Sequence, residues 1–120
     1  MRIVTLVENS CGHEGCIAEH GLSIYIETEK HKLLLDTGQT DTVVRNAEAL
    51  GVDLNVVDTV ILSHGHYDHS GGILPFSKLN HTAQIIMQRK AAEPHYNGER
   101  YIGIDTDILK LPNVRLIDGD

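Results

Sequence analysis

Nine consecutive residues, His64-Gly65-His66-Tyr67-Asp68-His69-Ser70-Gly71-Gly72, carry three imidazoles and a carboxylate within six positions. They follow the apolar run Val60-Ile61-Leu62 after a single residue, Ser63. A buried strand that runs into such a cluster holds the start of the loop rigid. Imidazole and carboxylate are the usual protein ligands for zinc, and for iron or manganese. A polar surface turn collects one pair of histidines by chance, but not a whole H-x-H-x-D-H-x-G-G run. The stretch reads as a metal loop.

The spacing has a physical logic. In an extended segment His64 and His66 project to the same side, because side chains repeat every two residues, and they can grip one ion together. Asp68 continues the alternation, and His69 follows as the chain begins to turn, so that pair faces a neighbouring ion. One short loop then offers two ligands to each of two divalent ions, which sit about 3.5–4 Å apart in a two-metal site. Gly71 and Gly72 let the backbone fold tightly past them.

Ser63 to Gly72 resembles the signature of the metallo-β-lactamase superfamily. Leu33-Leu34-Leu35-Asp36-Thr37-Gly38, similar to that family's strand followed by D-T-G, agrees with it, as does Ala18-Glu19-His20-Gly21-Leu22-Ser23. Together these motifs are most similar to the dihydropterin–ribofuranosyl-aminobenzene phosphate synthase-like branch of metal-dependent hydrolases. The resemblance implies an α/β fold, the N-terminal half of an αββα sandwich in which a mixed β-sheet carries flanking helices. It implies a dinuclear centre with His64 and His66 on one ion and Asp68 and His69 on the other. Asp36 would orient a ligand histidine through a hydrogen bond. A hydroxide shared by the ions would attack a carbonyl or phosphorus in a small-molecule ester, phosphoester or related bond, with Asp68 orienting it. Zinc is the expected metal, with iron or manganese as alternatives. The diiron oxygen-reducing relatives carry glutamate where this chain has His66, which favours hydrolysis over redox chemistry. The branch name also leaves a pterin-linked condensation as an alternative.

At 120 residues the chain is one domain or part of one, and residues 1–120 read as a single metallo-β-lactamase-like unit. The resembling family is normally near twice this length, and its later half supplies three more ligands. The sequence therefore reads as a truncated product, a fragment or a natural short form. Either a longer parent or a second copy of the chain would complete the sandwich; otherwise a metal-binding remnant without turnover remains. A half-sandwich leaves one sheet face bare, which makes a homodimer the expected partnership.

Ten basic against seventeen acidic residues give a formal charge of −7, which argues against nucleic acid as a partner. With 41% hydrophobic residues, 4% aromatics and no tryptophan, the core must be built from Val, Ile and Leu. The apolar run at Met1–Val7 is too short for a signal peptide, and no segment approaches the roughly 20 apolar residues of a membrane span. Two cysteines are too few for a disulfide scaffold, so a cytoplasmic location is the default expectation.

Residues 2–7 read as a strand, and 22–28 and 32–36 as a hairpin. Asp41 is placed to cap a helix with the stripe Val43, Val44, Ala47 and Leu50, closed by Gly51. Residues 57–62 form the strand that delivers the metal loop. A short helix over 72–79, a strand over 83–87, a helical turn from Arg89 ending at Pro94 and a last strand over 114–117 follow. Residues 101–111 show no clear pattern. Glu19-His20-Gly21 reads as either loop polarity or the rim of the site. Cys11-Gly12-His13-Glu14-Gly15-Cys16 offers three ligands and no fourth, so it reads as two reduced loop thiols. His81 and His95 are isolated and read as solvated, with His95 the one substitute for a missing third ligand.

Overall fold

Alternation of apolar and polar residues builds the first hairpin. In a computed structural model, which describes residues 1–8 and 18–118, β1 (Arg2–Val7) pairs antiparallel with β2 (Ser23–Glu27), and β2 with β3 (Lys32–Leu35). Three further strands add in parallel: β4 (Thr59–Leu62), β5 (Gln84–Gln88) and, at the far edge, β8 (Val114–Ile117). The six-stranded sheet has the order β1-β2-β3-β4-β5-β8.

Register separates two apolar rows. Val4, Tyr25, Leu34, Val60, Ile85 and Val114 stand side by side on one face. They pack against Val43 and Ala47 of helix α1 (Thr42–Ala49), Ile73 and Phe76 of helix α3 (Ile73–Leu79), and Ile104 and Ile108. The opposite face carries Ile3, Ile24, Ile26, Leu33, Leu35, Ile61 and Ile86, none of them fully buried. Ile3 is 62% exposed and Ile61 38% exposed. This is a mixed α/β fold with helices packed on one side of the sheet, as the resemblance implies. Among the described residues no helix is long and apolar enough to cross a membrane.

Helix α1 starts at the expected residue for a different reason. The Asp41 side chain makes no capping hydrogen bond and pairs with Arg45 instead, at 3.4 Å. Glu19 does the tethering: its carboxylate accepts from the Gln39 N–H at 3.0 Å, the Thr40 N–H at 3.3 Å, the Thr42 hydroxyl at 3.0 Å, and the Thr40 hydroxyl. The C-terminus follows expectation. Gly51 has φ +73°, and the N–H groups of Gly51 and Val52 return to the carbonyls of Glu48 and Ala47, closing a Schellman motif.

The unassigned region resolves into pieces too short for periodicity to reveal. A two-residue hairpin joins β6 (Tyr96–Asn97) to β7 (Arg100–Tyr101), and Thr106–Lys110 forms a 3₁₀ turn. Arg89–Ala92 is likewise a 3₁₀ turn, ending before Pro94. The Cys11–Cys16 segment lies outside the described residues.

Candidate metal centre

Parallel pairing of β3 with β4 sets their carboxyl ends side by side, and both lead into the site. Asp36 follows β3, with its N–H donating to the Ile61 carbonyl at 2.8 Å. Its backbone lies in the left-handed region at φ 57°, a conformation that Asp tolerates better than most side chains. The residue is 0% exposed, so its carboxylate needs partners, and three are provided. The Ser63 N–H donates to Oδ1 at 2.7 Å, the Ser63 hydroxyl to Oδ2 at 2.5 Å, and His69 Nδ1 to Oδ2 at 2.8 Å.

These bonds set the imidazoles. With Nδ1 of His69 held on a carboxylate, its proton sits there and the lone pair is left on Nε2. The Ser63 oxygen, having given its proton to Asp36, accepts from His64 Nδ1 at 3.0 Å, which leaves Nε2 of His64 free in the same way. Asp36 therefore orients both rings, one directly and one through Ser63. Sequence reasoning assigned no role to Ser63, although its place immediately before His64 was the available signal. His64 titrates below the ordinary histidine range, first because its ring is partly desolvated and then because His69 and His66 crowd it, against the pull of Asp36 and Asp68. A neutral imidazole is the form that binds metal.

The extended alternation stops at His66, which has φ −108° and ψ 149° and stands at the N-terminus of the one-turn helix α2 (Tyr67–Ser70). Asp68 therefore lies on a helical turn and not on the continuation of a strand. One consequence is a different grouping from the one the spacing suggests. Ligand atoms of His64, Asp68 and His69 all lie within 4.8 Å of one another, with His69 Nε2 at 3.4 Å from Asp68 Oδ2. Two ligands on one tetrahedral zinc stand about 3.4 Å apart, so small side-chain rotations complete the set. This donor set of two imidazoles and a carboxylate fits a divalent ion. His66 stands beside it, its ring centroid 4.9 Å from that of His64 and 5.3 Å from that of His95.

Close approach of the surrounding loops holds this arrangement. A Cβ on Gly71 would lie 1.7 Å from the Gln39 carbonyl oxygen, and one on Gly65 2.0 Å from that of Ala91. Thr37 ties the D-T-G turn to the metal loop: its N–H and its hydroxyl both donate to the His69 carbonyl, at 2.7 and 2.9 Å. The Glu19-His20-Gly21 segment sits on the rim, with His20 Nε2 at 3.3 Å from Asp68 Oδ2. His81 is exposed, whereas His95 is half-buried and lines a cavity of about 130 Å³ with Ser63, His64, Gly65 and Lys90.

Comparison with known proteins identifies the family. The metallo-beta-lactamase superfamily model matches residues 17–119. MJ0448, an uncharacterised protein of Methanocaldococcus jannaschii, is 33% identical over 123 residues, covering 97% of this chain and 47% of that protein. The 7,8-dihydropterin-6-methyl-4-(beta-D-ribofuranosyl)-aminobenzene-5'-phosphate synthase of the same organism is 34% identical over 84 residues, covering 65% of this chain and 29% of the synthase. Among solved structures, Tm1679, a metal-dependent hydrolase of the beta-lactamase superfamily, superimposes with a TM-score of 0.81 at 33% identity, covering 98% of this chain and 42% of its own. The chain belongs to the metallo-β-lactamase superfamily and spans less than half the length of these relatives.

Proposed function

We propose that the domain carries a dinuclear, zinc-loaded centre that hydrolyses an ester, phosphoester or related bond of a small molecule. One observation carries the reading: the convergence of His64, Asp68 and His69 at the carboxyl end of β4, with Asp36 and Ser63 fixing both imidazoles. Divalent ions bound there supply a nucleophilic oxygen at neutral pH and stabilise negative charge as it develops on the substrate. His64, Asp68 and His69 hold one ion, and His66 faces the neighbouring position. Asp68 offers a second carboxylate oxygen to orient the attacking group. Iron or manganese suits the same donors and is the alternative metal.

Two other readings each have an observation behind them. The grouping of three ligand atoms, fewer than two ions need, favours a domain that holds metal without turnover. Similarity to the dihydropterin-linked synthase favours a condensation on a pterin-derived substrate. We further propose a cytoplasmic setting, and a second copy of the chain as the cover for the open sheet face.

Metal stoichiometry measured beside turnover of phosphodiester and ester substrates tests the reading. The expected result is two ions per chain with hydrolysis that His69→Ala abolishes. A single ion and silence across substrates would establish the remnant instead. A chain that takes up no ion would end the proposal.

A further inference from the structure

We infer that His20 is a positioning residue of the metal centre, donating a hydrogen bond to Asp68 and so holding that carboxylate toward the ion. The inference rests on the metal centre proposed above and adds a residue from outside its loop.

The placement of His20 is built from both sides. Before it, the Glu19 carboxylate is anchored on the Gln39 and Thr40 N–H groups and on the Thr40 and Thr42 hydroxyls. The Glu19 N–H donates in turn to the Glu8 carbonyl at 3.1 Å. After it, Gly21 lies against the metal loop: a Cβ there would stand 2.2 Å from the Asp68 carbonyl oxygen. Its φ of +143° is backbone that L side chains rarely adopt, so close approach and conformation both call for glycine. The Leu22 carbonyl then accepts from the Gly38 N–H at 2.9 Å. His20 is thus fixed between anchored neighbours, and its Nε2 comes to 3.3 Å from Asp68 Oδ2.

The second observation is chemical. Asp68 Oδ2 stands near two imidazole nitrogens, His20 Nε2 at 3.3 Å and His69 Nε2 at 3.4 Å. His69 keeps its proton on Nδ1, against Asp36, so its Nε2 meets Asp68 with a lone pair. Two acceptors at that distance repel unless a cation joins them, which is how two ligands of one ion are arranged. His20 is the imidazole of the two that can donate. Its Nε2 carries a proton both in the charged ring and in one neutral tautomer. The His20 side chain is 65% exposed against 18% for Asp68, so it meets the carboxylate from the open side and fills no part of the core. An exposed pair of this kind contributes little to the stability of the fold. A partner that fixes a ligating carboxylate contributes to metal affinity instead, as the outer partners of metal ligands do.

Zinc affinity of the full chain, measured by competition with a chromophoric chelator, tests this, with the melting temperature of each metal-free variant as the check on folding. His20→Ala is expected to melt as wild type does and to bind zinc about 10–100-fold more weakly. His20→Gln, whose side-chain amide nitrogen can donate from near the place of Nε2, should recover most of that loss. His81→Ala removes another exposed histidine and should bind as wild type does. Wild-type affinity in His20→Ala, or equal losses in His20→Ala and His20→Gln, would overturn the inference and leave the metal centre standing. A wild-type chain that binds no zinc would overturn both. In the zinc-loaded wild type, long-range proton–nitrogen correlation should find the His20 proton on Nε2. A proton on Nδ1 alone would overturn the inference, and that measurement depends on no variant.

Discussion

Asp36 Oδ2 stands 2.8 Å from His69 Nδ1, and the same buried carboxylate reaches His64 through the Ser63 hydroxyl. One acidic side chain at the end of β3 thereby orients two imidazoles that come from the loop after β4 and from α2. Asp36→Ala leaves the Ser63 N–H, the Ser63 hydroxyl and His69 Nδ1 without their acceptor, and the expected loss of stability is about 2–4 kcal/mol. Asp36→Asn keeps the volume and tolerates the left-handed backbone, so it should fold with a smaller loss. Its zinc affinity should still fall by about 10–100-fold, because an amide no longer fixes the imidazole protons. Urea denaturation and zinc titration of the two variants check both outcomes.

Gly71 packs where no side chain fits. A Cβ there would meet the Gln39 carbonyl oxygen at 1.7 Å, and that oxygen belongs to backbone. Gly71→Ala must therefore push the metal loop away from the D-T-G turn, at an expected cost of about 3 kcal/mol or more, with metal binding lost alongside. Gly51 is the control. Nothing lies within 4 Å of its Cβ position, and only its φ of +73° opposes a side chain. Gly51→Ala should cost about 1 kcal/mol and leave metal binding intact. Equal effects from the two variants would contradict this account.

At the other end of the sheet, Asp58 joins β3 to β4 through side-chain bonds. Burial, the largest influence, pushes its carboxyl up. The Lys32 N–H at 2.8 Å, the Thr59 hydroxyl at 2.7 Å and His31 at 3.3 Å together bring it below the ordinary value of 3.8. A folded-state value below the unfolded one means that the unfolded chain takes up the proton more readily. The stabilisation is then complete above the unfolded value and is lost as pH falls through the folded one. Asp58→Asn should cost about 1 kcal/mol at neutral pH, discounted for its exposure, and should lose less stability than wild type on acidification. Urea midpoints at neutral and acidic pH decide it.

Much of the fold was legible because its signals are local. The hairpin of β2 and β3 alternates cleanly, Val60-Ile61-Leu62 is an unbroken apolar run before the histidines, and Gly51 marks the end of α1. The metal loop was legible as a set of ligand types but not as a geometry. Period-two spacing paired His64 with His66 and Asp68 with His69, whereas with a single helical turn at Tyr67–Ser70 the Asp68 and His69 ligand atoms gather with that of His64. One turn is too short to impose a 3.6-residue pattern on the sequence. Ser63 and Glu19 were harder still, since each acts through a partner distant in sequence. Glu19 bonds to residues 20 or more positions away, and Ser63 reaches Asp36 across 27.

The open face of the sheet gives the proposed second copy a specific test. Ile3, Ile26 and Leu33 form one register row and Ile24, Leu35, Ile61 and Ile86 another, so the apolar surface runs across five strands. A patch of that kind seldom stays in water, and sheets that meet face to face pack about 10 Å apart with their side chains interdigitated. Two copies pairing through these rows would bury Ile61 at the seam. Ile61→Lys should therefore shift a dimer to monomer in sedimentation velocity. The far-ultraviolet circular dichroism should stay unchanged, since a lysine at this partly exposed position can extend into solvent when the partner is gone. A wild-type chain that sediments as a monomer at micromolar concentration would dismiss the second copy as the occupant of this face. A dimer unaffected by Ile61→Lys would place the contact on another surface.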